Sequence, residues 1–382
     1  MTFIFRNMWR RKGRTFLTVF GIVVGIFALT VLGGMAARLN QQVNGMKGFI
    51  AGKISVAAEG TNMLRLQHNK VLDLNTARQI EKIPGVESAV GLITVQLKEG
   101  QGFGQPQMMV GYETAGGKDY FKNIGIAKGR APQPGESGKA VLGSDLATQL
   151  NARVGSTVTL KGKQFEVVGI LDTTLGATDT WAFVPYQDAL GIFLAENPFF
   201  KTENFVQSIS VLPKAGVNIE ELAGTIGRDI GGIKVTSPAE AEKAISQITT
   251  IFKAIIFGIA FIALFVGGLS IINTMVMAVS ERTREIGLKK AIGARVHTIL
   301  WEYLAEAAMI GLVAGAIGML MGLVAIGLLN GATHNSNIKI FTITASVVIG
   351  PVLFATVLGT LAGFFPALRA ANLNPVDSLK ED

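Results

Sequence analysis

Four stretches of this chain are apolar almost without interruption, and each is long enough to cross a hydrocarbon core, which takes about 20 helical residues. They run from Thr15 to Ala37, Thr250 to Val279, Tyr303 to Leu329 and Ile343 to Leu368. The second holds one charge, Lys253, and the third one carboxylate, Glu306, in its first turn. Between the first two, residues 38–249 change to the shorter periods and turn residues of a water-facing α+β region. Asp73–Lys82 opens with a capping residue and continues as an amphipathic helix, which Pro84–Gly85 ends before the strand-like VESAVGLITVQL. STVTL and KQFEVVGIL alternate on either side of Lys161–Gly162–Lys163, as a hairpin should. Ser208–Leu212 and Ile233–Thr236 read as further strands around a helix over Asn218–Asp229. The second helix-plus-strands unit resembles the first, which predicts two subdomains with a strand-rich section over 105–190 between them. From Pro238 a helical pattern runs without a breaker into the second span, as a stalk would.

Charge orients these spans. The flank before Thr15 carries Arg6, Arg10, Arg11, Lys12 and Arg14 and no acid, and the 280–300 connection carries Arg282, Arg284, Lys289, Lys290 and Arg295 against Glu281 and Glu285. Residues 38–249 hold 21 basic and 20 acidic side chains, and the short 330–342 connection only Lys339. The positive-inside rule therefore predicts cytoplasmic residues 1–14, a transmembrane helix over 15–37, an extracytoplasmic domain over 38–249, a second helix with stalk over 250–279, a cytoplasmic segment over 280–302, spans over 303–329 and 343–368 joined by an outer loop over 330–342, and a cytoplasmic tail over 369–382. The first apolar run exceeds the h-region of a secretory signal and reads as an uncleaved anchor. The net charge of +8 is thus topological rather than a nucleic-acid footprint. A mean hydropathy of +0.42 agrees with a membrane protein.

The search for chemistry returns little. Zero cysteine removes disulfide scaffolds, zinc fingers and iron–sulfur sites together. The three histidines, His68, His297 and His334, fall in separate segments with no spacing suited to a metal. There is no Walker-type phosphate loop, Gly100–Gly104 reads as an ordinary loop, and no G-x-S-x-G elbow marks a nucleophile. No ionisable group sits at the middle of a span, where transporters hold substrate or coupling ions. Small residues are abundant there instead: Gly21 and Gly25, Gly311 and Gly315, Gly318 and Gly322, and Gly359 and Gly363 all lie at the G-x-x-x-G spacing that lets helices approach closely. They fit packing within the chain, and the third-span ladder fits a contact with a second copy equally well. Glu306, at a helix N-terminus near the boundary, is placed for capping or for pairing with a base from the 280–300 loop.

Segment 280–300 is the most specific part. ERTREIGLKKAIGARVHTIL sets charges on one face and Ile286, Ile292, Val296 and Ile299 on the other, as in a short amphipathic helix. Alternating acids and bases and the breaks at Gly287 and Gly293 suit protein docking better than an anionic lipid surface. The stretch INTMVMAVSERTREIGLKKAIGA (272–294) resembles the signature of the MacB/FtsX-like family of ABC transporter permeases, the type VII or mechanotransmission class. NMWRRKGRTFLTVFGIVVGI and FPALRAANLNPVDSLKED are similar to that family's ends, and PGVESAV, GRAPQPGESGKAVLGSDLA and VGSTVTLKGKQFEVVGIL to its extracytoplasmic core domain.

The resemblance implies a polytopic α-helical membrane protein with four transmembrane helices and a large α+β extracytoplasmic domain inserted between the first and second. It implies a homodimeric permease in the bacterial inner membrane that binds two copies of an ABC ATPase, is not itself an enzyme and binds no cofactor, with ATP and Mg held by that partner. In the efflux pump that gives the family its name the ATPase is fused at the N-terminus; this chain begins with the basic flank, so a separate subunit is expected. An ATPase-coupling segment of Glu281, Arg282, Thr283, Arg284, Glu285, Ile286, Gly287, Lys289, Lys290, Ala291, Gly293 and Ala294 follows. In it, Arg and Glu would pair with the ATPase and Ile286 would fill an apolar groove. Helix packing falls to Gly311, Gly315, Gly318 and Gly322. Export or extraction of an antibiotic, peptide, lipid or lipoprotein is the expected function; a two-membrane host with a periplasmic adaptor and outer-membrane channel and a one-membrane host fit the sequence equally well. The alternatives are a regulator of a cell-wall hydrolase or signalling partner and, from outside the family, a receptor or anchor.

Overall fold

The computed structural model describes residues 12–60, 70–98, 107–113, 120–121, 123–198, 200, 204–332 and 340–375. His68, His334, Lys339, Gly100–Gly104, Arg6, Arg10, Arg11 and the tail from Val376 lie outside the described residues. Two compact units result, one built on the long apolar helices and one from residues 39–249.

In the outer unit a single ten-stranded sheet takes in the strands of both helix-and-strand halves. Its strands are β1 (Ile54–Ala58), β3 (Val86–Lys98), β4 (Gln107–Tyr112), β5 (Ile126–Gly129), β6 (Lys139–Leu142), β7 (Thr157–Leu160), β8 (Lys163–Leu171), β9 (Ala182–Pro185), β11 (Ser208–Pro213) and β12 (Ile233–Thr236). The order is β12-β1-β11-β3-β4-β9-β6-β8-β5, with β7 paired to β8. Two short strands, β2 (Leu72–Asp73) and β10 (Phe205–Val206), pair separately. Most pairs are antiparallel, but β4 with β9 and β6 with β8 run parallel, closing loops across the sequence that no local pattern announces. Local chemistry does fix several turns. Asp73 accepts from the Asn75 amide at 2.7 Å and starts α2 (Leu74–Glu81), and Asn218 likewise starts α5 (Ile219–Asp229). Lys161 and Gly162 both have positive φ, 49° and 79°, the mirror-image turn whose twist suits a two-residue hairpin.

Because successive strand residues face opposite sides, each central strand feeds two cores. Ala140, Leu142, Ala182, Val184, Met109 and Ile93 face a large aliphatic core with Leu146 of α3 (Ser144–Gln149), Ala189 and Leu190 of α4 (Tyr186–Glu196) and Ile226 of α5. Val110, Val141, Val168 and Phe183 point the other way, into an aromatic layer with Tyr112, Tyr120 and Phe121. Asp188, almost wholly buried at the start of α4, would have its carboxyl pushed up by burial. Donors from Lys163, at 2.6 Å, and from the Ser137 hydroxyl and Gly138 amide, each at 2.7 Å, outweigh this and hold it below the ordinary range.

The first long helix, α1 (Lys12–Ile50), continues well past the apolar window that ends at Ala37; at 39 residues it is about 58 Å long. Its last turn belongs to the outer unit: Phe49 packs edge-on against Tyr120 and Trp181, and just beyond it Lys53 is 6% exposed. The Lys53 amine donates to the Tyr120 carbonyl at 2.7 Å and lies 4.2 Å and 4.6 Å from the Phe49 and Tyr120 ring centres. Burial pushes its pKa down from 10.5 to about 8. The folded state therefore holds fewer protons than the unfolded chain between those values, and outer-domain stability rises with pH across that window. Lys53→Met should flatten the rise, each unit of displacement being worth about 1.4 kcal/mol. Pulse proteolysis of the outer domain in urea at pH 7.5 and 10 checks this; a wild type with no such pH dependence would show that the rings and the carbonyl offset the desolvation.

In the membrane unit, α1 packs with α6 (Pro238–Glu281), α8 (Val296–Ala332) and α9 (Ala345–Ala371). Among the described residues four helices are long and apolar enough to span a bilayer. Their shared core joins Ile22, Val23 and Ile26 of α1, Ile271 and Met275 of α6, Tyr303, Ala307 and Ile310 of α8, and Ala355 and Leu358 of α9. The polar outer faces that a soluble bundle needs are missing: Phe257, Phe261, Phe265, Leu328 and Leu361 are among many large apolar residues left open, as lipid requires.

Candidate functional site

The segment between α6 and α8 folds into a separate short helix, α7 (Thr283–Ala291), after a break at Arg282, whose φ of −108° and ψ of 13° leave the helical region. Both ends are built from local chemistry. At the start, the Thr283 hydroxyl donates back to Ser280 at 2.9 Å. At the end, Gly293 with φ of 100° lets its own amide reach Lys290 at 3.0 Å and the Ala294 amide reach Lys289 at 2.9 Å, which closes the helix in a Schellman motif. That turn is why Gly293 is glycine.

The inner face of α7 differs from the expected one. Ile286, placed by the sequence reading in a groove of the ATPase, is 1% exposed and buried in this chain's own core with Ile299, Tyr303, Ala367 and Ala370. Ile292 and Val296, expected on the same face, are exposed, Ile292 by 79%. The reason is the turn at Gly293: it separates two helices, so one helical wheel cannot span positions 286 to 299. Gly287 is buried beside Ile286.

Several bases expected to meet a partner are engaged within the chain. Arg282 pairs with Glu306 of α8 at 3.3 Å, the loop partner expected for that carboxylate. Lys289 meets both oxygens of Glu302, at 2.7 Å and 2.9 Å. Lys290 donates to the backbone carbonyls of Ala371 and Leu373 at the end of α9, at 2.9 Å and 2.6 Å. Exposed on the surface of α7 and its flanks are Glu281, Arg284, Glu285, Leu288, Ala291 and Ile292. Arg284 and Glu285 have no ion-pair partner among the described residues. Leu288, 57% exposed, joins Ile292 in an apolar patch beside those charges. Spacing alone missed Leu288 and Glu302. The signal for Glu302 was its place in the first turns of α8, facing a basic helix end.

The four packing glycines all meet other helices of the same chain, which accounts for the third-span ladder without a second copy. A Cβ on Gly311 would lie 2.3 Å from the Ala355 carbonyl oxygen, and one on Gly315 2.8 Å from the Ala355 Cβ, both on α9. Gly318 and Gly322 turn to α1, where a Cβ would meet the Val23 carbonyl at 2.7 Å and the Thr30 Cβ at 2.6 Å.

A bundle of four lipid-facing helices, a large α/β insertion between the first two and a capped, charged helix between the second and third define an integral membrane protein with an extracytoplasmic domain. The MacB-like periplasmic core domain matches residues 15–228, and the FtsX-like permease C-terminal domain matches residues 257–375. The chain belongs to the MacB/FtsX-like family of ABC transporter permeases. It is 26% identical over 402 residues to the ABC transporter permease MJ1507 of Methanocaldococcus jannaschii, covering all of this chain and 97% of that one. Identity to the permease YknZ of Bacillus subtilis is 25% over 401 residues, covering 97% and 95% of the two chains. The pyoverdine export ATP-binding/permease protein PvdT of Pseudomonas entomophila is 28% identical over 404 residues, and there the chain spans 59% of the relative's length. Membership of this family implies an ATPase partner.

Proposed function

We propose that this chain is the permease subunit through which a separate ATPase drives movement of the extracytoplasmic domain, exporting or extracting a substrate from the membrane. The observation that carries the reading is α7 itself. It is a short helix held by its own chain on one side, with Arg284, Glu285, Leu288 and Ile292 presented on the other. Mixed charge around an apolar centre is the composition of a protein-docking surface rather than of a lipid-binding one. The basic excess of segment 280–300 supports a cytoplasmic side for that surface, where ATP is. From there α6 runs unbroken for 44 residues, about 66 Å, to Pro238, next to β12 of the outer domain. A continuous helix of that length transmits tilt or rotation, so that ATP-driven closure of two ATPase subunits on a homodimer would reach the outer domains.

Affinity purification from the native host in mild detergent, with identification of what accompanies the chain, tests this. An ABC ATPase should be recovered in stoichiometric amount, and Glu285→Arg, which reverses an exposed charge without touching the core, should lower its recovery about tenfold. Recovery of no ATPase from intact membranes would sink the reading. A cell-wall hydrolase or sensor in place of substrate-stimulated ATP hydrolysis would turn it toward regulation.

A further inference from the structure

Lys290 sits in the last turn of α7, a helix whose exposed face the proposed function gives to the ATPase, yet its amine is turned away from that face. It holds the carbonyls of Ala371 and Leu373, at 2.9 Å and 2.6 Å, the second lying just past the end of α9. The Ala371 carbonyl belongs to the group that a helix leaves without internal partners, and a cation there also meets the negative end of the helix dipole. The surrounding contact is tight and apolar. Ala367, Ala370 and Ala371 of α9 are fully buried in the same core as Ile286 of α7, with Leu373 packed against it.

We infer that Lys290 is a positioning residue that ties the coupling helix to the end of the fourth span, so that a push on α7 is delivered to α9 as well as to α6. Three ties converge on this short segment: Arg282 to Glu306, Lys289 to Glu302, and Lys290 to α9. The first two reach α8, which is locked to α9 along the glycine seam at Gly311 and Gly315. Arg282 and Lys289 therefore bind α7 to one member of a helix pair, and Lys290 alone of the three binds it to the other. By contrast, the junction of α7 with α6 is a single non-helical residue. The coupling helix and the α8–α9 pair thus form one body, and α6 joins it through a hinge at Arg282. On this arrangement the ATPase moves the last two spans directly and the stalk of α6 through the hinge.

The inference rests on the proposed docking of an ATPase to α7, and the test separates the two. The full chain is purified with its ATPase, and hydrogen exchange is followed with and without ATP and vanadate in wild type, Lys290→Met and Lys290→Arg. In wild type, residues 283–291 and residues 366–375 should both change on nucleotide trapping. Lys290→Met should keep the ATPase bound and keep the change at 283–291. It should lose the change at 366–375, and exchange there without nucleotide should rise about tenfold as two charge-assisted hydrogen bonds go. Lys290→Arg, which keeps the charge and the donors, should restore the response; a lysine with a merely bulky role would already be replaced by Met, with no loss for Arg to restore. Two results overturn the inference: an undiminished nucleotide response at 366–375 in Lys290→Met, or loss of the ATPase from a variant that still folds, which would make Lys290 a docking residue. If wild type itself carries no ATPase, the functional reading fails instead, whatever the variants do.

Discussion

Gly311→Ala should destabilise the membrane unit by about 3 kcal/mol, the upper end for adding one methyl to a packed site. The new Cβ would sit 2.3 Å from the Ala355 carbonyl oxygen and 3.1 Å from its carbon, and backbone cannot swing aside as a side chain can. The seam is reciprocal, since Gly359 on α9 would bring its own Cβ to 2.6 Å from the Ala307 carbonyl and 3.1 Å from the Gly311 Cα. Helices in lipid gain nothing from hiding apolar surface, so their association depends on dispersion contacts that close approach makes possible; separating them by even an ångström forfeits much of that. The control is Gly327→Ala on the same helix, where a Cβ meets nothing within 4 Å. It should be neutral or raise stability by up to about 1 kcal/mol through helix propensity. Thermal unfolding of the two variants in one detergent decides. Equal midpoints would mean that α8 and α9 are not in the close contact described.

Leu288→Asp combined with Ile292→Asp should abolish recovery of the ATPase while leaving the permease folded. Both side chains are exposed, so their removal creates no cavity, and a carboxylate in their place remains hydrated in the free chain. In a docked complex the same carboxylates would be desolvated at the centre of the contact, where a few apolar anchors carry most of the binding energy, about 2 to 4 kcal/mol each. A fall in affinity of at least about a hundredfold follows, measured by titrating purified ATPase onto the permease in nanodiscs. Ile286→Asp makes the contrast: at a buried site it should fail by misfolding. An unchanged affinity in the double variant would place the docking surface elsewhere.

Much of this architecture is legible in local pattern. Apolar run length marks the four helices because a bilayer admits little else, and capping residues mark the helices that start after Asp73 and Asn218. The Lys161–Gly162 hairpin announces itself through alternation on both sides, and Glu306 through an isolated carboxylate beside a basic loop. Other features lie beyond such patterns. The glycine spacing in the third span identifies a face of small residues but not its neighbour; the first two glycines of that ladder serve α9 and the last two α1. The same holds for α1, whose polar last turns Arg38–Ile50 read as the start of the outer region although they continue the helix.

By itself the sequence determined the number of spans, the place of the insertion and the family, because hydropathy, caps and short signatures act over a few turns of chain. Only the tertiary structure decided which face of α7 is offered outward. Helical periodicity grouped Ile286 with Ile292, but the turn at Gly293 sends one into the core and leaves the other open. Lys289 and Lys290 look like partner-seeking charges until Glu302 and the carbonyls of Ala371 and Leu373 are brought beside them. Those acceptors come from other helices, and only packing fixes which orphaned donor meets which orphaned acceptor.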